Sequence, residues 1–242
     1  MIKLINQVNL PSVNFADGFS VTKIKANIFA YGCEHSFLNL WYQLGYNEEI
    51  TALIERFENN LFIVTKENAD FKEIKEFVFT IGFSTIQAKP EIINNLGLNF
   101  KEYQVLEYVA EGKSSLPPYP DIKKVYSLLY GEENENIKPT DFEGFYVDLS
   151  HKIRKGFAAA ITTSNAVCVA SHITEDSAVI SGVAVQSNNQ KSGLGSNILK
   201  EMSASLSGRK IFVAAENSVV PFYIKNGFLK AYKIAIYENE EN

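Results

Sequence analysis

The stretch "NNQKSGLGSNILKEM", residues 188–202, decides how the rest of the chain is read. Gln190, Gly193 and Gly195 stand in a Q-x-x-G-x-G pattern, and a run with helical apolar spacing follows at once. Glycine lets a backbone turn tightly and approach a ligand closely. The first amides of a helix lack intrahelical acceptors and point outward, and the helix dipole adds positive potential there. Such a junction suits a pyrophosphate. A glycine turn that merely caps a packed helix is the competing reading. A dinucleotide fingerprint G-x-G-x-x-G is excluded, because its third glycine would fall on Ile198. A P-loop is excluded too, since no G-x-x-x-x-G-K-[ST] occurs there.

Before the loop, three apolar runs come in close succession: "FAAAITT" (157–163), "AVCVASHI" (166–173) and "SAVISGVAV" (177–185). Ser164-Asn165 and Glu175-Asp176 sit at the turns, and the tight spacing makes these strands antiparallel neighbours. After the loop, "KIFVAA" (210–215) is a buried-strand run. "PFYIKNG" (221–227) is a short helix with Pro221 in its first turn and Gly227 at its end, and "FLKAYKIAIYE" is a final strand. Upstream, "TDFEGFYVDLSHKIRKG" predicts a helix capped by Thr140, with Glu143 as box partner and basic residues in its last turn. "DIKKVYSLLYG" is a shorter helix from Asp121 to Gly131. "KEYQVLEYVA" reads as a strand and "EGKSSLPPYP" is the strongest loop signal in the chain, so the domain boundary is placed near residue 98.

Residues 1–97 read as a mixed α/β segment. "FLNLWYQ" (37–43) has strand composition, and "ITALIERF" (50–57) and "LFIVTK" (61–66) flank a hairpin turn at Glu58-Asn59-Asn60. A helix over 48–57 is the alternative. In "ADFKEIKEFVFTIGF", Asp70 and Glu73 form a capping-box pattern, apolar residues recur at helical spacing, and Gly82 is a natural stop. "FSTIQA" resumes as strand. An echo links "EFVFTIGFSTI" (76–86) to "PFYIKNGFLKA" (221–231), pairing Phe77 with Phe222, Gly82 with Gly227 and Phe83 with Phe228. The first segment thus reads as a candidate degenerate half-copy of the second. It lacks any counterpart of Q-x-x-G-x-G.

The 242 residues are 46% hydrophobic and 21% charged, ordinary for a globular protein with a packed core. A net charge of −5 and the lack of a Lys/Arg stripe argue against a nucleic-acid partner. Cys33 and Cys168 lie far apart without metal-ligand spacing, so no metal site is expected, and two free thiols point to the cytoplasm. The start "MIKLINQVNLPSVNF" has no long apolar core, so no signal peptide is expected. No apolar run reaches the ~18 residues of a membrane span.

The order and spacing of "ISGVAV", "QKSGLGS", "KIFVAAEN" and "PFYIKNGF" resemble the GNAT superfamily of acetyl-CoA-dependent N-acetyltransferases. The last of these looks like the family's closing F-Y-x-x-x-G-F motif. The looser pattern extends the resemblance over residues 98–242. It implies an α/β (α+β) fold, a mixed, mostly antiparallel sheet flanked by helices, behind a smaller N-terminal mixed α/β domain. It also implies acetyl-CoA as acyl donor and an amine as acceptor. The strand 177–185 would splay from "KIFVAA", leaving backbone groups near Val183 and Val185 to pair with the pantetheine amides. The amides of Lys191, Ser192, Gly193, Leu194, Gly195 and Ser196 would hold the pyrophosphate, with Lys191 adding charge and Ser196 a hydroxyl. Gln190 stands where many family members carry arginine. Asn217 matches a frequent cofactor-contacting asparagine, and Phe222 packs on the cofactor or on the core.

Acyl transfer to an amine needs an oxyanion stabiliser, a proton donor for the departing thiolate and a base for the ammonium. Backbone amides near Val183 suit the first role. Tyr223 matches the family's tyrosine acid. Glu175, His172, Glu216 and His151 are all candidates for the base, and the resemblance places Glu216, at the end of "KIFVAA", near the chemistry. Cys168 reads as core, so direct transfer in a ternary complex is expected rather than an acyl-enzyme. The alternative is a non-catalytic acyl-CoA-binding sensor. The acceptor and the oligomeric state are not legible here.

Overall fold

In the computed structural model of the chain, residues 1–5, 15–33, 35–112, 114–131 and 141–239 are described. The chain divides into two compact units. The first comprises Met1–Val105, Ala214–Val220 and Ala231–Asn242, and the second Leu106–Val213 and Pro221–Lys230. The first unit takes in pieces of sequence from both sides of residue 98, and the second lies wholly after it. The fold is mixed α/β with mostly antiparallel strand pairing.

The first unit contains β1 (Ile2–Leu4), α1 (Gly18–Tyr31), β2 (Leu38–Leu44), β3 (Ile50–Phe57), β4 (Asn60–Thr65), α2 (Phe71–Ile81), β5 (Thr85–Ala88) and α3 (Pro90–Leu96). Its strands run in the order β1-β2-β3-β4-β5-β11, where β11 is Leu229–Glu238. β4 and β5 are parallel, registered only at Asn60↔Thr85, Leu61↔Ile86 and Phe62↔Gln87. β11 pairs antiparallel with β5 through Ala235↔Ala88 to Glu238↔Thr85. Successive strand residues point to opposite faces, and the core divides accordingly. Ala52, Ile54, Leu61 and Ile63 pack with Ile74 and Val78 of α2 and Ile92 and Ile93 of α3. Leu53 and Val64 pack with Ile24 and Ile28 of α1 on the other face. Burial on both faces explains why these strands read as near-continuous apolar runs.

The predicted strands over 37–43, 50–57 and 61–66 and the helix from Phe71 are all present. Three details differ. Glu73 does not reach back to the Asp70 amide; that N–H donates to Gln43 Oε1 at 2.9 Å. The Glu73 carboxylate instead accepts from the Ile2 amide and from Gln43 Nε2, both at 2.8 Å. At the hairpin the positive φ, 56°, falls on Glu58 rather than an asparagine. The helices α1 and α3 have no counterpart in the sequence reading. Asp17 caps α1 and Pro90 opens α3, both recognisable signals.

The second unit contains the end of β6 (Lys101–Val109), then α4 (Ile122–Tyr130), α5 (Phe142–Arg154), β7 (Ala159–Thr162), β8 (Ala166–Ile173), β9 (Ser177–Val185), α6 (Leu194–Ser205), most of β10 (Lys210–Ala215) and most of α7 (Val220–Lys225). Strand order is β6-β10-β9-β8-β7. β7, β8 and β9 are antiparallel neighbours, as their spacing predicts. β9 and β10 are parallel. α5 is capped by Asp141, whose Oδ2 accepts from the Gly144 amide at 2.7 Å; the expected cap Thr140 lies outside the described residues. Val167, Val169 and Ala184 pack against Leu128 and Leu129 of α4 and Leu149 of α5.

Candidate functional site

The parallel contact between β9 and β10 is short. Registered pairs run Ser177↔Lys210, Ala178↔Ile211 and Val179↔Phe212, although β9 continues to Val185. The two strands therefore part after Val179. The antiparallel ladder to β8 is irregular close by: Val169↔Gly182 and His172↔Val179 keep one register, but between them only Ala170↔Ile180 is paired, so Ser181 on β9 and Ser171 on β8 both lack a registered partner. Each strand holds two residues in that interval, so the ladder is loosened there without an inserted residue. Gly182 packs closely on α4: a Cβ there would lie 2.8 Å from Leu129 Cδ2, and that methyl would have to move.

The loop after β9 opens α6. A 3-10 turn over Ser187–Asn189, unforeseen in the sequence, leads to Gln190. Lys191 and Gly193 both take positive φ, 61° and 88°, which curls the loop. Left-handed backbone costs a lysine more than a glycine, and such strain collects at ligand clamps. Gly193 is the N-cap of α6, and no side chain hydrogen-bonds to this helix start. The first amide to find a carbonyl within the turn is that of Asn197, on Gly193 at 3.0 Å. The amides of Leu194, Gly195 and Ser196 are thus left for an external acceptor.

Gly195 answers to crowding rather than to φ. A Cβ there would sit 3.4 Å from Val185 Cγ2 and 3.5 Å from Phe222 Cε2. The structure therefore gathers Val185, the start of α6 and Phe222, all in the second unit, with Val183 and Val185 half-buried. Gln190 Nε2 makes a long, 3.4 Å contact to the Val185 carbonyl, and the Ser192 hydroxyl donates to the Asn189 carbonyl. Lys191 and Ser192 are exposed, Leu194 and Ser196 half-buried.

Tyr223 lies on α7, buried, with its ring 5.1 Å from Phe222 and 5.6 Å from Phe228. Burial raises the phenol's pKa above its ordinary value, and the neighbouring Cys168 adds to the shift. Cys168 is fully buried on β8, and burial pushes its thiol up as well. Glu216 and Asn217 belong to the first unit, exposed in the turn after β10. Among the other base candidates, His172 is buried with Nδ1 2.7 Å from Ser171 Oγ and Nε2 3.5 Å from Lys152 Nζ. Lys152 in turn pairs with Asp148 at 3.0 Å. Glu175 is exposed in the β8–β9 turn, and His151 is half-buried on α5. Among the described residues no group of His, Cys, Asp and Glu could hold a metal, and no helix is long and apolar enough to cross a membrane.

Sequence reasoning passed over Ser181 and the close packing beside it. The signal was there: an isolated glycine, Gly182, inside a strand pattern points to a close approach by a neighbour.

Comparison with known proteins bears on this geometry. The acetyltransferase (GNAT) domain family matches residues 135–239. Among solved structures, a GCN5-related N-acetyltransferase from Sphaerobacter thermophilus superimposes with a TM-score of 0.58 at 11% identity, over 90% of this chain and 84% of that one. A GNAT-family acetyltransferase from Colwellia psychrerythraea gives 0.53 at 11% identity, over 99% of this chain and 100% of that one. At such identities the likeness concerns the fold. Among curated proteins, the myosin-M heavy chain of Dictyostelium discoideum is 32% identical over 89 residues, 35% of this chain and 5% of that protein. This chain thus spans only a small part of the curated relative that it matches.

Proposed function

With residues 135–239 matching the GNAT acetyltransferase domain family, we propose that this chain moves an acetyl group from acetyl-CoA to a primary amine of a small molecule or peptide, by direct transfer with both bound. One observation carries the reading: a helix start without a side-chain cap follows a strand whose pairing with β10 stops at Val179. Those features fit a pyrophosphate and an extended amide chain respectively. Acetyl-CoA supplies the activated acyl carbonyl and the thiol that departs.

The chain's own residues take the following parts. The amides of Lys191 to Ser196 hold the pyrophosphate, Lys191 adds positive charge and Ser196 adds a hydroxyl. Val183 and Val185 offer backbone groups to the pantetheine, and the Val183 amide is assigned the acyl oxygen as charge develops there. Phe222 packs beside Gly195 at the loop. Asn217 is assigned to the cofactor. An alkylammonium titrates near pH 10, so the acceptor must shed a proton before attack, and Glu216 is assigned as its base through water. Tyr223 is protonated at neutral pH, as a phenol with an ordinary pKa of about 10 is, and burial raises its pKa further, so it has a proton to give to the leaving sulfur. Cys168 is no acyl carrier: a fully buried thiol pushed up in pKa is a poor nucleophile. Two free thiols, Cys33 and Cys168, favour a cytoplasmic setting.

The test is a panel of primary amines and peptides mixed with acetyl-CoA and the protein, followed by free-thiol release. The expected outcome is amine-dependent release above the amine-free rate. Saturable acetyl-CoA binding without amine-dependent release from any member would instead favour a sensor.

A further inference from the structure

Ser181 has no role in the assignments above, yet it occupies an unusual position. It is the one exposed residue of the strand "SAVISGVAV", and it is polar. The local irregularity of the ladder leaves it without a registered partner on β8, and the β10 pairing has already ended at Val179. Its neighbours Ile180 and Gly182 are buried, Gly182 against Leu129 of α4. Ser181 therefore points to the opposite face, the one it shares by alternation with Val183 and Val185. Its hydroxyl hydrogen-bonds to no other described residue.

Position along the strand gives this hydroxyl a task. From the phosphate-binding loop, the assigned path runs along β9 past Val185 to the acyl carbonyl at Val183. Two residues of extended strand cover roughly 6.6 Å. Ser181 is the next side chain on that face, one step beyond the acyl group, where the acceptor must arrive. We propose that the Ser181 hydroxyl accepts a hydrogen bond from the acceptor's primary amine and holds its nitrogen before the acyl carbon. The inference rests on β9 being the acetyl-CoA strand. A serine hydroxyl does not ionise in the working range, so it positions the nitrogen and leaves proton removal to another base.

The experiment uses the full chain carrying Ser181→Cys, with iodoacetamide as probe and intact mass as readout. Cys168 is fully buried and Cys33 half-buried, so the introduced thiol should react about tenfold faster than either. Saturating acetyl-CoA should slow that reaction about tenfold and CoA, without the acetyl group, less than about twofold. Thermal unfolding of the same samples reports donor binding separately. If acetyl-CoA raises the unfolding temperature but leaves labelling unchanged, or if CoA protects equally, Ser181 does not face the acceptor and the proposal falls while the donor site stands. If acetyl-CoA neither stabilises nor protects, the donor assignment fails and this inference goes with it. With an amine from the panel, Ser181→Ala should raise KM for the amine about 3- to 10-fold, as loss of one hydrogen bond implies. KM for acetyl-CoA should not move, and Ser181→Thr should restore the amine's KM. A loss confined to acetyl-CoA affinity contradicts the proposal.

Discussion

In β4–α2–β5 the helix starts on Asp70, whose Oδ1 accepts from the Lys72 and Glu73 amides at 3.0 and 3.1 Å. In β9–α6–β10 it starts on Gly193, with no side-chain cap. The two segments otherwise share one plan. Each joins two parallel strands through a helix, and each strand pair is registered over three residues only. The difference lies in what fills the helix start. A carboxylate already satisfies the amides of α2, and Glu73 adds a second negative charge in its first turn. Both would repel a phosphate. The start of α6 carries no acidic residue in its first turn, and its glycines keep side chains out of the way. We propose that the first unit is a counterpart of the second that keeps the strand–helix–strand frame and has lost the anion cradle.

The largest effect is expected at Tyr223. Tyr223→Phe removes one hydroxyl and keeps the ring, so kcat should fall by about 10²–10⁴ with little change in acetyl-CoA affinity. The phenol acts while protonated, and burial raises its pKa, so the wild-type basic limb should lie above the ordinary tyrosine value of about 10. The Phe variant should lack that limb. Unchanged kcat, with chemistry rate-limiting, removes Tyr223 from the mechanism.

Gly193→Val comes next. Position 193 has φ 88° with open space around it, so the cost is in the backbone rather than in packing. At about 100 times Kd, acetyl-CoA should stabilise the wild type by about 2.7 kcal/mol, or roughly 5–10 °C in unfolding temperature. The variant should lose that increment. A full increment in a folded variant places the donor elsewhere.

Asp70→Ala tests the other half of the comparison. Loss of this cap should cost about 1 kcal/mol of stability and leave the acetyl-CoA increment intact. A smaller effect is expected from alkali. Folded Tyr223 holds its proton more tightly than the unfolded chain does, so this contribution is complete below about pH 10. It is lost as pH rises through the folded value. Chemical denaturation above pH 10 should show a shallower decline in Tyr223→Phe than in the wild type; equal slopes would contradict the shift.

Much of this was legible because each element announces itself locally. Gly193, Gly195 and the apolar spacing after them named α6, and the turn residues at 164–165 and 175–176 separated β7, β8 and β9. What escaped notice depends on contacts distant in sequence. The echo pairing Gly82 with Gly227 sets α2 opposite α7, yet by connectivity α2 matches α6, since each links two parallel strands. Both glycines do take positive φ, 69° and 90°, so the echo reflects shared helix-end chemistry. A boundary at residue 98 follows texture along the chain. Pairing ignores texture: Ala235–Glu238 of β11 register with β5, and a fragment beginning at residue 98 would leave them without that partner. The irregular ladder at Ser181 was hidden because a strand's register is defined by its neighbour.

The number of acetyl-CoA molecules bound per chain tests the central claim most directly. Calorimetric titration of the full chain should give one site, abolished by Gly193→Val and unchanged in Asp70→Ala. Two sites per chain, or a single site that survives Gly193→Val and disappears in Asp70→Ala, would contradict it.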